Sequence, residues 1–116
     1  MKRVYVAGAY SGTDVLTVLK NIGRGEWYAA EMFAKGLYPF VPWYDKDFAI
    51  KLWDRDLTVQ QFYDYSIAWL DVSEAMFLVP GWKDSKGTIA EIERAKKLGI
   101  PVFEDLDALY GWALKI

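Results

Sequence analysis

The stretch SEAMFLVPGWKDSKGTIAEIERAKKLGIPVF, residues 73–103, decides the fold. Residues 75–79 are a near-continuous apolar run, the signature of a strand buried on both faces. The run stops at Pro80-Gly81, and a turn continues to Gly87. A helix begins there with Ser85 as its predicted N-cap, and it ends at Leu98-Gly99, where glycine serves as a stop. Residues 100–103 form a second short apolar strand. A strand, a helix and another strand within about 30 residues are the unit that joins two parallel strands.

The same alternation extends outward. Residues 3–7 read as a buried strand that stops at Gly8 and leads into the turn Gly8-Ala9-Tyr10-Ser11-Gly12. A helical pattern covers residues 21–35, with Ala29, Ala30, Phe33 and Leu37 in phase and Gly36 as the stop. Residues 38–41 are a second strand, closed by Pro42. Residues 43–57 are mixed and aromatic, and read equally as a short helix or a flap. A helix at 58–70 places Val59, Phe62, Tyr63, Ser66 and Leu70 on one face, and residues 105–114 form a last helix. The expected fold is therefore α/β: one domain over residues 1–116, a flavodoxin- or Rossmann-like parallel sheet in the order 2-1-3-4, with helices on both faces. In that order the winding reverses between the first and third strands, so a crevice opens beyond their carboxyl ends. The loops at 8–12 and 80–87 border it.

Composition narrows the chemistry. The 116 residues contain no Cys and no His, which excludes thiol nucleophiles, disulfides, an imidazole base and the usual zinc ligand sets. With 14 basic against 16 acidic residues, the net charge of −2 argues against a nucleic-acid polymer or a membrane surface as partner. No apolar run approaches the ~20 residues that span a bilayer. The opening MKRVYVAG is too soon interrupted to be a signal peptide, so the chain reads as cytoplasmic. Its 6 Trp, 8 Tyr and 6 Phe exceed what so small a core can hide, which points to a lined pocket or a subunit interface and to a dimer or higher homo-oligomer.

The crevice residues are the candidate site. At the start of the third long helix, the N–H groups of Lys86, Gly87 and Thr88 and the Ser85 hydroxyl suit a phosphate or carboxylate, although Ser85 reads as well as a plain cap. Asp84 competes there with an anion. Glu91 lies one turn further in, with Gly87 at i−4, Ala95 at i+4 and Leu98 at i+7, so it faces the packed side, where a carboxylate is costly unless used. The alternative is a Glu91–Arg94 contact whose head group reaches solvent. The first loop lacks the dinucleotide and P-loop fingerprints, but Gly8 and Gly12 permit close approach and Tyr10 can project inward as a hydrogen-bond partner. Trp43 and Trp82 are candidates to wall the pocket.

Residues 73–103, together with VYVAGAYSG at 4–12, Asn21 at the predicted opening of the first helix, and GLYPFVP at 36–42, resemble the nucleoside 2-deoxyribosyltransferase superfamily. That superfamily includes the 2′-deoxynucleoside 5′-phosphate N-hydrolases, and the chain is most similar to its compact prokaryotic and phage branch. The resemblance implies that Glu91, in the pattern Ser85-x-Gly87-x-x-x-Glu91, is the nucleophile that attacks C1′ of deoxyribose. It implies that Ser85 contacts the 5′ group, and that the loop carrying Gly8, Tyr10, Ser11 and Gly12 lines the sugar and base pocket. One position departs. Ser66 stands where the superfamily carries an aspartate, eight residues before the acidic residue, here Glu74, that precedes the third strand. A second carboxylate must then come from Asp71 or Asp84, or the leaving base departs without a proton donor.

The expected function is cleavage or exchange of the N-glycosidic bond of a 2′-deoxynucleoside or its 5′-monophosphate. Glu91 and Tyr10 are the expected catalytic residues. Gly8, Ser11, Gly12, Ser66, Asp84, Ser85 and Gly87 are expected to bind substrate. No metal or cofactor is required. Two other readings remain open: a nucleotide-binding protein without turnover, and a scaffold whose aromatic side chains serve assembly alone.

Overall fold

A computed structural model describes residues 2–10 and 12–114 of the chain. The elements are β1 (Arg3–Ala7), α1 (Val15–Ala34), β2 (Tyr38–Phe40), α2 (Asp45–Lys51), α3 (Val59–Asp71), β3 (Ala75–Leu78), α4 (Lys86–Leu98), β4 (Val102–Phe103) and α5 (Leu106–Leu114). Single 3-10 turns at Pro42–Tyr44 and Trp82–Asp84 follow β2 and β3. The sheet order is β2-β1-β3-β4 and every pair is parallel, as the alternation of elements predicts.

Successive strand side chains point to opposite faces, which builds two cores. Val4, Val6, Phe77 and Val79 pack on Ile22 and Met32 of α1 and Leu109 of α5. Tyr5, Ala7, Met76 and Leu78 pack on Leu70 of α3 and Ala95 of α4. Both faces of β1 and β3 are covered, which is why those strands read as unbroken apolar runs. The backbone N–H of Val79 continues the pairing by donating to Ala7 O at 2.8 Å, which brings the two crevice loops side by side.

The helix boundaries have local causes. Thr58 and Gln61 form a reciprocal capping box at the start of α3: Gln61 N donates to Thr58 Oγ1 at 3.2 Å, and Thr58 N donates to Gln61 Oε1 at 2.7 Å. Gly36 and Gly99 adopt φ values of 91° and 73° just past α1 and α4, a left-handed conformation that other residues avoid. The first helix departs from expectation. It starts at Val15, not near Asn21, and Asp14 is its cap, accepting from Thr17 N at 2.7 Å. Val15, Leu16 and Leu19 are exposed while Val18 packs against the core, so apolar side chains lie on both faces of these turns and blur the amphipathic stripe. Residues 43–57, ambiguous in sequence, hold the short helix α2, and no residue of it is buried.

Two glycines inside α1 weaken its intrinsic helicity but do different jobs. Gly23 has open space where a Cβ would stand, whereas a Cβ at Gly25 would overlap the Trp43 ring. Trp43 is 3% exposed and seated against this gap. Gly23→Ala is therefore expected to raise stability by about 0.5–1 kcal/mol. Gly25→Ala is expected to lower it by about 1–3 kcal/mol, because Trp43 must move. Urea unfolding of the two variants checks the opposite signs, and equal shifts would show that Trp43 does not depend on the missing side chain.

Candidate active site

The crevice at the carboxyl end of the sheet contains a cavity of about 860 Å³, within the range of small-molecule sites. Its walls come from four places: Gly8, Ala9 and Tyr10 after β1; Pro42, Trp43, Asp45, Lys46 and Ala49 after β2 and along α2; Phe62, Tyr63, Ser66 and Ile67 of α3; and residues 84–88, Ala90 and Glu91 at the start of α4.

Glu91 reaches this cavity because α4 lies on the Tyr5 side of the sheet. The Tyr5 hydroxyl, fully buried in the middle of β1, donates a hydrogen bond to Glu91 Oε2. Arg94 does not compete for Glu91. It forms a two-pronged bond with Asp71, Nε to Oδ1 at 2.9 Å and Nη2 to Oδ2 at 2.7 Å. That pair settles the alternative contact left open by the spacing, and it removes Asp71 as a second carboxylate for the site.

Asp84, the other expected candidate, lines the cavity, and so does a carboxylate the sequence did not single out, Asp45. It is the first residue of α2, and it lines the same cavity. Burial pushes its carboxyl above the ordinary value, while Lys46 and a backbone N–H pull it down. Burial lifts Glu91 from 4.5 to about 7; the Tyr5 hydrogen bond opposes that shift and the Asp45 charge adds to it. Burial also drives the Tyr5 hydroxyl well above its usual range, and Glu91 raises it further, so it stays a donor at any working pH. The Ser66 hydroxyl pulls weakly the other way. Removing the donor in Tyr5→Phe is expected to move the Glu91 carboxyl further upward. A carbon-13 NMR titration of its carboxyl carbon reads this directly, and an unmoved midpoint would show that the bond does not hold the ionised form.

At the mouth, Ser85 caps α4: its Oγ accepts from Thr88 N at 3.2 Å and lies 3.0 Å from Thr88 Oγ1. Thr88 Oγ1 in turn lies 3.2 Å from Gly8 O, tying the two loops together. A Cβ at Gly87 would meet nothing nearer than Ser85 Oγ at 4.0 Å, so the glycine leaves this end of the cavity open.

The structure brings together Glu91, Tyr10, Gly8, Ser66, Asp84, Ser85 and Gly87 on the cavity wall. Gly12 does not join them; a Cβ there would run into Thr17 at the start of α1, so its small size serves the helix entry rather than a ligand. Ser11 lies outside the described residues. Trp43 lines the cavity, but Trp82 faces a separate cleft of about 480 Å³, where its Nε1 donates to Glu104 Oε1 at 2.8 Å. Tyr10 lines the wall, yet the tyrosine that touches Glu91 is Tyr5. One signal pointed to Tyr5: a tyrosine inside a doubly covered strand needs a partner for its hydroxyl. No periodicity marked Asp45.

Among the described residues, no helix is long and apolar enough to cross a membrane. Residues 2–104 match the family described as Domain of unknown function (DUF4406). A search of curated proteins finds no match.

Proposed function

The chain belongs to the DUF4406 family, and we propose that it breaks or exchanges the N-glycosidic bond of a 2′-deoxynucleoside or its 5′-monophosphate, as its resemblance to the nucleoside 2-deoxyribosyltransferase superfamily implies. The observation that carries this reading is the Glu91 carboxyl: largely buried, held by the Tyr5 hydroxyl, and sharing a cavity of nucleoside size with a second carboxyl, Asp45.

The chemistry needs only these groups. The ionised Glu91 carboxylate attacks C1′, the C1′–N bond breaks, and its electron pair leaves with the base. Asp45, in its acid form, donates a proton to that base. Water, or a second base in an exchange, then attacks C1′ from the vacated side. Asp45 takes the proton of the newcomer, the C1′–O bond to Glu91 breaks, and the carboxylate is restored. Two displacements retain the configuration at C1′. Flat aromatic walls at Tyr10, Phe62 and Tyr63 suit a flat heterocycle. The deciding experiment screens 2′-deoxynucleosides and their monophosphates for free base by chromatography, with wild type and Glu91→Gln side by side. Release by wild type and none by the variant is expected; equal release by both, or release by neither, would reject the reading.

Ser66, in place of the aspartate that the resemblance implies, favours a second reading: a protein that captures a nucleoside or nucleotide without cleaving it. Saturable binding with no base release over a day would decide for it. The leading reading also places the protein in the cytoplasm as an assembly of at least two copies. Large apolar side chains left in solvent, among them Trp53 at 83% and Phe33 at 72% exposure, support the assembly. A monomeric mass by light scattering at micromolar concentration would contradict it.

A further inference from the structure

We propose that a second copy of this chain packs on the outward face of α1, with the two helices antiparallel about a two-fold axis near residue 25. The inference rests on the reading of the protein as a homo-oligomer and not on the glycosidic chemistry.

α1 turns Ile22, Gly25 and Met32 to the interior, so its opposite side should be polar. It is not. At about 100° per residue, Val15, Leu16, Leu19, Trp27 and Phe33 fall in one arc of about 120°, and the small Gly23, Ala30 and Ala34 fall between them. The five large side chains are between 55% and 75% exposed. Over the 20 residues of the helix they make an apolar strip about 30 Å long, the kind of surface that marks a protein interface. Its central side chain is already fixed. The Trp27 ring meets Tyr28 edge-on at 5.0 Å, and Tyr28 packs on Phe77 of the core at 5.2 Å. An aromatic side chain held in this way gives up little freedom on docking.

The strip is complementary to itself when reversed. Laid antiparallel, Leu16 meets the partner's Ala34, Leu19 the partner's Ala30, and Trp27 the partner's Gly23. Val15 meets the partner's Phe33. At 1.5 Å per residue these pairs all come level to within about 3 Å of one register. A Cβ at Gly23 would meet nothing within 4 Å, so the space over it is open to a ring. A parallel pair would set leucine on leucine and glycine on glycine, leaving voids between the bulky side chains.

Charge selects the same arrangement. Lys20 and Glu31 stand on one flank of the strip and are exposed. Among the described residues, neither forms an ion pair within the chain. Lys35, one turn past Glu31, is turned to the Tyr110 ring, 5.5 Å from its centre. In the antiparallel pair like flanks meet, so each Lys20 comes level with the partner's Glu31, and this happens twice about the axis. A parallel pair would set lysine against lysine and glutamate against glutamate. Glu26 is the one charge inside the arc. It stands at the opposite edge, where it nears its own copy but keeps water around it, which screens that repulsion.

Light scattering at micromolar concentration reads the contact, with circular dichroism to show that each variant is folded. Wild type is expected at twice or more the mass of one chain. Leu19→Lys and Trp27→Lys should each halve that mass and raise the dissociation constant by at least about 100-fold, since each change occurs twice in the pair. Trp53→Lys, in the loop after α2, should leave the mass unchanged. Lys20→Glu should weaken the pair about tenfold, and Lys20→Glu combined with Glu31→Lys should restore it. An assembly that survives both strip variants, or one that only Trp53→Lys breaks, overturns the inference and leaves the homo-oligomer standing. Failure of the combined reversal to restore the pair overturns the antiparallel arrangement. A monomeric wild type rejects the homo-oligomer and this interface together.

Discussion

Glu91→Gln is expected to abolish base release and to make the protein more stable above neutral pH. The first effect follows from the loss of the nucleophile; an amide oxygen at this position forms no glycosyl ester, and the rate should fall by at least about 10³-fold. The second follows from linkage. Burial raises the folded-state pKa of Glu91 to about 7, above the 4.5 of a free side chain. Its contribution to stability is therefore complete below the unfolded value and is lost as pH rises through about 7. Glutamine carries no charge at any of these pH values and still offers Tyr5 an oxygen to donate to. The variant should match wild type near pH 4 and exceed it by about 2–3 kcal/mol at pH 8. Urea unfolding at the two pH values checks this. A residue kept only for packing would not combine lost activity with gained stability. Equal stability at pH 8 would mean that Glu91 ionises without cost and is not held in a desolvated place.

Asp45→Asn is expected to lower kcat about 10²- to 10³-fold, the usual worth of a positioned general acid. It should also change the shape of the pH profile. In wild type the reaction needs one proton on the Glu91–Asp45 pair, carried by Asp45 when the base leaves. That singly protonated form is most populated between the two pKa values, so the rate should peak there and fall as pH rises through about 7, where the second proton is lost. In the variant no acid remains and only an ionised Glu91 matters. Removing the Asp45 charge also lowers the Glu91 carboxyl. The residual rate should then rise with pH to a plateau, with its midpoint below 7. Asp45 begins an unburied helix, so folding should be undisturbed. A variant with wild-type rate and an unchanged profile would remove Asp45 from the chemistry.

The sequence is easiest to read where one local cause decides the outcome. Ser85 caps α4 because its hydroxyl meets Thr88 N three residues on, and Gly99 ends the helix because only a residue without a side chain adopts its φ of 73° at no cost. β1 and β3 are recognisable because both faces of each are covered, leaving no polar alternation to confuse them. The first turns of α1 are harder to read: Val15, Leu16 and Leu19 face water beside Val18, which packs inward, so the apolar residues mark no single face. For α2, a seven-residue helix with no buried side chain leaves no pattern at all.

The sequence by itself determined the α/β alternation, the order of the sheet, the crevice between the first and third strands, and the placement of Glu91 on the inner side of α4. Each of these depends on spacing along the chain, and spacing is local. Only the tertiary structure decided that Tyr5 donates to Glu91 from 86 residues away, that Arg94 turns to Asp71 instead, and that Asp45 shares the cavity. Those contacts join β1, α2, α3 and α4, and no period in a sequence records which side chains meet when separate elements fold against one sheet.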